Sequence, residues 1–271
     1  MARVDELLHA ALKQLPAKPA DTVNSADKKR YSELMSEKVA QALAEELRQR
    51  GMPEARPAPP GQVGLSGAER RLAGGIGAKK VDVTWATEDS GLLLALSVKT
   101  INFKDRRSGN FQKNLTNRRA DMLIEAVTLH RRFPYAVLCG LLFLDAGAAT
   151  DGTRSRRNTA LNAHQRLRLF TGRSDPAGRD EQFERLFLLL VDANPFNPTW
   201  NVHEVGRPDQ PVELAHALDQ VIELVAERNF DFYEALDGQI HKLSSRAARG
   251  EPATDTDVGD ILVDLDDEED V

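Results

Sequence analysis

A single cysteine, Cys139, leaves the 271-residue chain without a disulfide framework or a cysteine-based zinc site. It sits inside the apolar run YAVLCGLLFL and reads as a small core residue. No run approaches the roughly 18–20 apolar residues that a membrane span needs. The N-terminal stretch MARVDELLHAALKQLP is amphipathic and contains acids, unlike a basic segment leading into an apolar signal core. A cytoplasmic protein with no membrane partner is therefore expected. His130, His164, His203, His216 and His241 are scattered without metal-ligand spacing. No serine nucleophile elbow or phosphate-binding glycine loop appears, and GGIG alone lacks the strand-before-helix context such a loop requires.

What is present is an ordinary globular composition, 41% hydrophobic and 29% charged, long enough for one large domain or one domain with appendages. The net charge of −6 is unevenly spread. Residues 251–271 hold ten Asp or Glu and no Lys or Arg, so without them the 42 acids fall to 32 against 36 bases, leaving a body of about +4. With few aromatics, this tail is expected to be largely disordered apart from the short apolar stretch DILVDL. It could compete with phosphate for the basic body or dock on a protein partner.

Periodicity predicts a short helix over 1–15 and a polar linker over 16–26. A long helix follows from about 27 to 50, with Tyr31, Leu34, Met35, Val39, Leu43 and Leu47 on one face and a stop at Gly51 and Pro53. Four prolines in 52–64 enforce an extended crossing, and 66–77 reads as a small-residue turn region. The runs VDVTWA (81–86) and LLLALSV (92–98), joined by TEDSG, read as a β-hairpin. A helix is expected over 117–132, and the order is helix, strand, strand, strand, helix, strand if one further strand lies around 101–104. A central strand over 135–144 is apolar on both faces. The segment 145–160 reads as mobile, followed by a basic helix at 158–171, strands at 185–193 and 200–205, and a helix at 212–228.

The hairpin carries charge at its margin. Alternation turns Asp82 to the face opposite Val81 and Val83, while Ser97 and Lys99 share a face of the second strand. Antiparallel pairing then brings Asp82 opposite residues 97–99, with carboxylate and ammonium in reach of one divalent cation and its water. Phosphodiester hydrolysis needs such a set: a hard oxygen ligand for Mg²⁺ and a cation that steadies developing charge. The bland alternative is an ion pair at a sheet edge.

This pattern, an Asp, a hairpin and then x-Lys after an apolar strand, resembles the PD-(D/E)xK nuclease superfamily over roughly residues 27–145. The resemblance implies an α/β fold with a restriction-endonuclease-like mixed sheet flanked by helices, here with helical additions and the acidic tail. It divides the chain into an N-terminal helix and linker (1–24), a nuclease domain (25–249) and the tail (250–271). It implies a Mg²⁺- or Mn²⁺-dependent DNA endonuclease of restriction or antiviral-defence type, with Asp82 as metal ligand and Lys99 positioning water and stabilising charge. The superfamily has Asp or Glu two residues before the lysine, where this chain has Ser97. A displaced glutamate is therefore implied, with Glu37 ranked first, Glu125 next and Glu69 last. Cutting both strands of a duplex would favour a homodimer.

The stretch after Lys99 suits a polyanion. From 99 to 119 it has seven Lys or Arg against one Asp, and Lys104, Arg106, Arg107, Lys113, Asn114, Arg118 and Arg119 are the expected DNA contacts. Arg154, Arg156, Arg157, Arg166 and Arg168 form a second basic block. Alternatives on the same fold are a non-catalytic nucleic-acid-binding module, in which Ser97 marks lost activity, and a partner-binding subunit.

Overall fold

The computed structural model describes residues 1–59, 61, 70–73, 75 and 78–243; Glu69 and the acidic tail, both singled out above, lie outside them. In chain order the elements are α1 (Arg3–Lys13), α2 (Ser25–Gln49), β1 (Arg70–Ala73), β2 (Ala78–Val81), β3 (Val83–Thr87), β4 (Gly91–Ile101), α3 (Gln112–His130) and β5 (Val137–Asp145). There follow α4 (Thr159–Leu167), β6 (Arg185–Asp192), β7 (Thr199–Glu204), β8 (Pro211–Val212), α5 (Leu214–Arg228), β9 (Tyr233–Leu236) and β10 (Gln239–Lys242).

A six-stranded mixed sheet runs in the order β3-β4-β5-β6-β7-β8. The β4–β5 and β5–β6 pairs are parallel and the other three antiparallel. Parallel neighbours need a crossover that covers a sheet face, so β4 and β5 are apolar on both sides and interior. Alternation sorts their side chains: Leu94, Leu96, Val98, Cys139, Leu141 and Phe143 join α1, α2 and α5 in one core. Ala95, Ile101, Leu138, Leu142 and Leu144 meet α3 and α4 in the other. The protein is thus α/β in three layers. Cys139 is fully buried, and burial pushes its thiol well above the ordinary range, as suits a core residue.

The inner stripe of α2, Tyr31, Met35, Val39, Leu43 and Leu47, is buried, each such large side chain contributing about 1.5–3 kcal/mol. Asn24 caps the helix by accepting from the Asp27 N–H at 2.9 Å. At its end Gly51 has φ +91°, and a Cβ there would lie 2.1 Å from the Ile240 carbonyl oxygen. Only glycine allows that approach, which seats the β9–β10 hairpin against the helix end. Residues 1–24 also belong to the packed body, since Val4, Leu8, Leu12 and Leu15 are in the first core.

Several expectations are corrected. The extra strand lies before the hairpin, not at 101–104: β1 pairs with β2, while β4 itself runs on to Ile101. A loop follows there because the Asp105 carboxylate accepts from the N–H groups of Arg107 and Ser108 and ties the chain into a turn. The helix expected at 117–132 begins five residues earlier, at Gln112. The segment 145–160, expected to be mobile, is pinned through Asp151, whose carboxylate accepts from the N–H groups of Phe111 and Thr159. The basic helix stops at Leu167, with a 3-10 turn over 168–170.

His164 of α4 is buried, and its Nδ1 accepts from the Gly206 N–H at 3.2 Å. Burial first, and then nearby His203, push its pKa down to about 4. The unfolded chain protonates this ring near the ordinary pKa of about 6.5, so the neutral ring contributes stability above that pH. The contribution is lost as pH falls from about 6.5 toward about 4, with no further loss below. Denaturant unfolding at pH 7 and pH 4.5 is expected to show a smaller stability drop in His164→Asn than in the parent; equal drops would remove His164 as the cause.

Candidate active site

Asp82 is the one residue between β2 and β3, and Val83 pairs with Leu96 of β4. The break aims its carboxylate at the neighbouring strand, where Oδ2 accepts from the Val98 N–H at 2.7 Å. Lys99, one residue on, places Nζ 3.3 Å from the same oxygen. Asp82 thus stands opposite residues 97–99, as the alternation predicts.

Lys99 points away from α2 and toward α3, because Leu94, Leu96 and Val98 occupy the opposite face of β4. There Nζ also lies 3.1 Å from Glu125 Oε2 of α3. That contact is a charge contact rather than an aligned hydrogen bond, and neither Glu125 oxygen has a hydrogen-bond partner although the side chain is only 2% exposed. Burial by itself lowers the Lys99 pKa, but Glu125 and then Asp82 outweigh it and hold it above the ordinary lysine range. The ammonium is therefore fully charged at neutral pH, and the stability these pairs contribute is lost only as pH rises through that raised value.

Glu125 reaches the site because the strands beneath it are lined with small residues. Ser97 pairs with Gly140 of β5, and a Cβ on Gly140 would fall 2.7 Å from Met122 of α3. Where the resembled nucleases carry an acid, Ser97 is buried with its hydroxyl unpartnered. The second carboxylate beside Lys99 is that of Glu125 on α3.

Of the candidate glutamates, Glu125 lies against Lys99 and Glu37 does not. Glu37 is exposed on α2, two residues past the buried Met35, and lines the far wall of the cleft containing Asp82 and Lys99. The physical reason is the layer: α2 covers the face of β4 that Lys99 leaves. A sequence signal for Glu125 does exist, since it is three residues after Met122 and four before Leu129 on the buried stripe of α3.

The cluster lines an open cleft of about 1560 Å³, walled by α2 and α3. Among the described residues no group of three or more His, Cys, Asp or Glu side chains could hold a metal ion. Mg²⁺, however, is commonly held by one or two carboxylates, with waters and substrate phosphates completing its shell. Asp82 and Glu125, the two carboxylates beside Lys99, are suited to that role.

The expected DNA contacts divide. Arg106 donates to the carbonyls of Thr22 and Val23, and Lys113 pairs with Asp105 at 3.0 Å. Hydrogen bonds from Lys113 and then from the Ser108 N–H hold the Asp105 carboxyl down at about 2. Lys104 stacks its ammonium 5.8 Å over the Phe111 ring. Arg107 is exposed and Arg119 half-exposed. Asn114 and Arg118 do line the cleft, donating to the carbonyls of Phe103 and Thr100, both at 3.4 Å. In the second basic block Arg166 reaches Thr116 of α3 at 3.3 Å, while Arg154, Arg157 and Arg168 are exposed. The sequence reading missed Lys28, Lys29 and Ser32 of α2, which line the opposite wall.

No helix among the described residues is long and apolar enough to cross a membrane. Comparison with protein-family models, with curated proteins and with solved structures finds no match to this chain.

Proposed function

We propose that the chain is a divalent-metal-dependent DNA endonuclease with a restriction-endonuclease-like core, of restriction or antiviral-defence type. The observation that carries the proposal is the Asp82–Lys99–Glu125 cluster in an open cleft, in which one buried ammonium pairs with both carboxylates. The chain order supports it: helix α2, then β1, the β2–β3 stretch broken at Asp82, β4 ending beyond Lys99, helix α3 and the parallel β5. A helix before the hairpin and a helix and a strand after it are the order of elements in the superfamily that the pattern resembles.

In this proposal Asp82 and Glu125 hold the ion. When bound, Mg²⁺ or Mn²⁺ would polarise a phosphoryl oxygen and acidify a water. Lys99 keeps its proton and presents fixed positive charge where negative charge develops on the phosphate. Its two ion pairs and its place on a strand hold the ammonium in position before substrate arrives, so little reorganisation is needed.

Incubating the full chain with supercoiled plasmid and Mg²⁺ or Mn²⁺ tests the proposal. Nicked or linear product, lost with chelator and with Asp82→Ala, is the expected result; a salt-dependent DNA shift without any cleavage would leave a binding module on this fold. Lys99→Met is expected to lower the cleavage rate by about 100-fold or more while DNA affinity changes much less. Equal losses of rate and affinity would reduce Lys99 to a phosphate contact.

A further inference from the structure

Helix α2 carries two stripes. The apolar one is buried; the other, Ser25, Lys28, Lys29, Ser32 and Ser36, recurs at three- and four-residue spacing and faces the cleft. The chain leaving β4 crosses the cleft in step with both walls. Lys99 meets Glu125, and Thr100 accepts from Arg118 through its carbonyl. Asn102 donates to Ser32 Oγ at 3.2 Å. At Phe103 the carbonyl accepts from Asn114, and the Lys28 ammonium lies 5.5 Å over the ring.

Charge follows the same axis. Asp82 and Glu125 meet Lys99, and Lys28 and Asn114 gather at Phe103. Two carboxylates sit among the cations: Glu33 is 3.6 Å from Lys29 and Asp121 is 3.3 Å from Arg118. These are solvent-accessible pairs, worth little, and a phosphate can replace the carboxylate. By contrast Arg106, expected from sequence to bind DNA, donates to the Thr22 and Val23 carbonyls of the preceding linker.

We infer that Lys28 and Lys29 of α2, with Asn114 of α3 meeting the same stretch at Phe103, form a phosphate clamp that holds the DNA strand to one side of the scissile phosphate. Four residues separate Lys99 from Phe103, roughly 13 Å of chain if fully extended, which sets the clamp beside the phosphate at Lys99 and not on it. The serine hydroxyls of the stripe and the Asn114 amide supply neutral donors to the same backbone, so the clamp reads position and not base sequence. The inference rests on the cleft being a phosphodiester-cleaving site.

The test is fluorescence anisotropy of a labelled DNA duplex with the full chain in chelator, across a salt series. The double variant Lys28→Gln/Lys29→Gln is expected to weaken binding by tenfold or more at low salt. Its slope of log affinity against log salt should shrink by about 2, close to one unit per lost phosphate contact. Glu33→Gln, which frees Lys29, is expected to tighten binding, and Lys13→Gln on the exposed side of α1 to change nothing. A double variant with the parent's affinity and slope overturns the clamp while leaving the cleavage proposal standing; a parent chain that neither binds nor cuts DNA overturns both.

Discussion

Glu125→Gln is expected to abolish metal-dependent DNA cleavage, whereas Glu37→Gln retains it. The glutamine keeps the volume and shape of a side chain only 2% exposed, so α3 should stay packed against the sheet. What it removes is one of the two carboxylates facing Lys99. Altering a group that merely supports a metal ligand costs about 10–100-fold in affinity or activity, so losing a ligand is expected to cost more than about 100-fold. Mn²⁺ titration calorimetry provides a readout independent of cleavage: binding should weaken in Glu125→Gln and Asp82→Asn and persist in Glu37→Gln. Ser97→Ala, which removes a buried and unpartnered hydroxyl, should be tolerated. Cleavage at the parent's rate by Glu125→Gln would sink the site.

The second large effect is on stability and lies away from the cleft. Glu184 is fully buried, where Oε1 meets Arg228 at 2.6 Å and Arg173 at 3.1 Å. Its Oε2 accepts from the Leu138 N–H at 2.6 Å and faces His130 at 3.3 Å. One carboxylate thereby joins the end of α3, the start of β5, the 173–184 loop and the end of α5. Glu184→Ala would leave two buried guanidinium groups without their anion, and breaking such a pair costs about 3–5 kcal/mol. For a domain of this size that lowers the melting temperature by roughly 6–20 °C. Thermal unfolding followed by circular dichroism checks it, and a shift under about 2 °C would show the cluster to be dispensable.

The same carboxylate sets an acid limit. Burial would raise its pKa, but His130 facing it at 3.3 Å, then the charge of Arg228, hold it below the ordinary value. Its contribution is complete above the unfolded carboxylate pKa of about 4.3 and is lost as pH falls through the lower folded value. Acid unfolding should therefore show two regions, the His164 loss between about 6.5 and about 4 and the Glu184 loss below it.

Much of this was legible in the chain. The double-sided apolar run at 137–144 marks an interior strand, the alternation around Asp82 and Lys99 places both at one strand margin, and the 3.6-residue stripe of α2 identifies its buried face. These are local patterns, set by backbone geometry within a few residues, and they determined the element types, the hairpin and two members of the cluster. Which glutamate completes the cluster was decided by tertiary structure. Glu37 and Glu125 are both helical acids near apolar positions, and only the assignment of α2 to one face of β4 and α3 to the other brings Glu125 to Lys99 and leaves Glu37 across the cleft. The fate of the basic loop was decided in the same way. Seven cations in a row of 21 residues predict phosphate binding, but Asp105, the Thr22 and Val23 carbonyls and the Phe111 ring engage three of them, while Lys28 and Lys29, 70 or more residues earlier, are carried to the cleft wall. Charge partners are chosen by distance in space, and distance in space depends on how the layers stack.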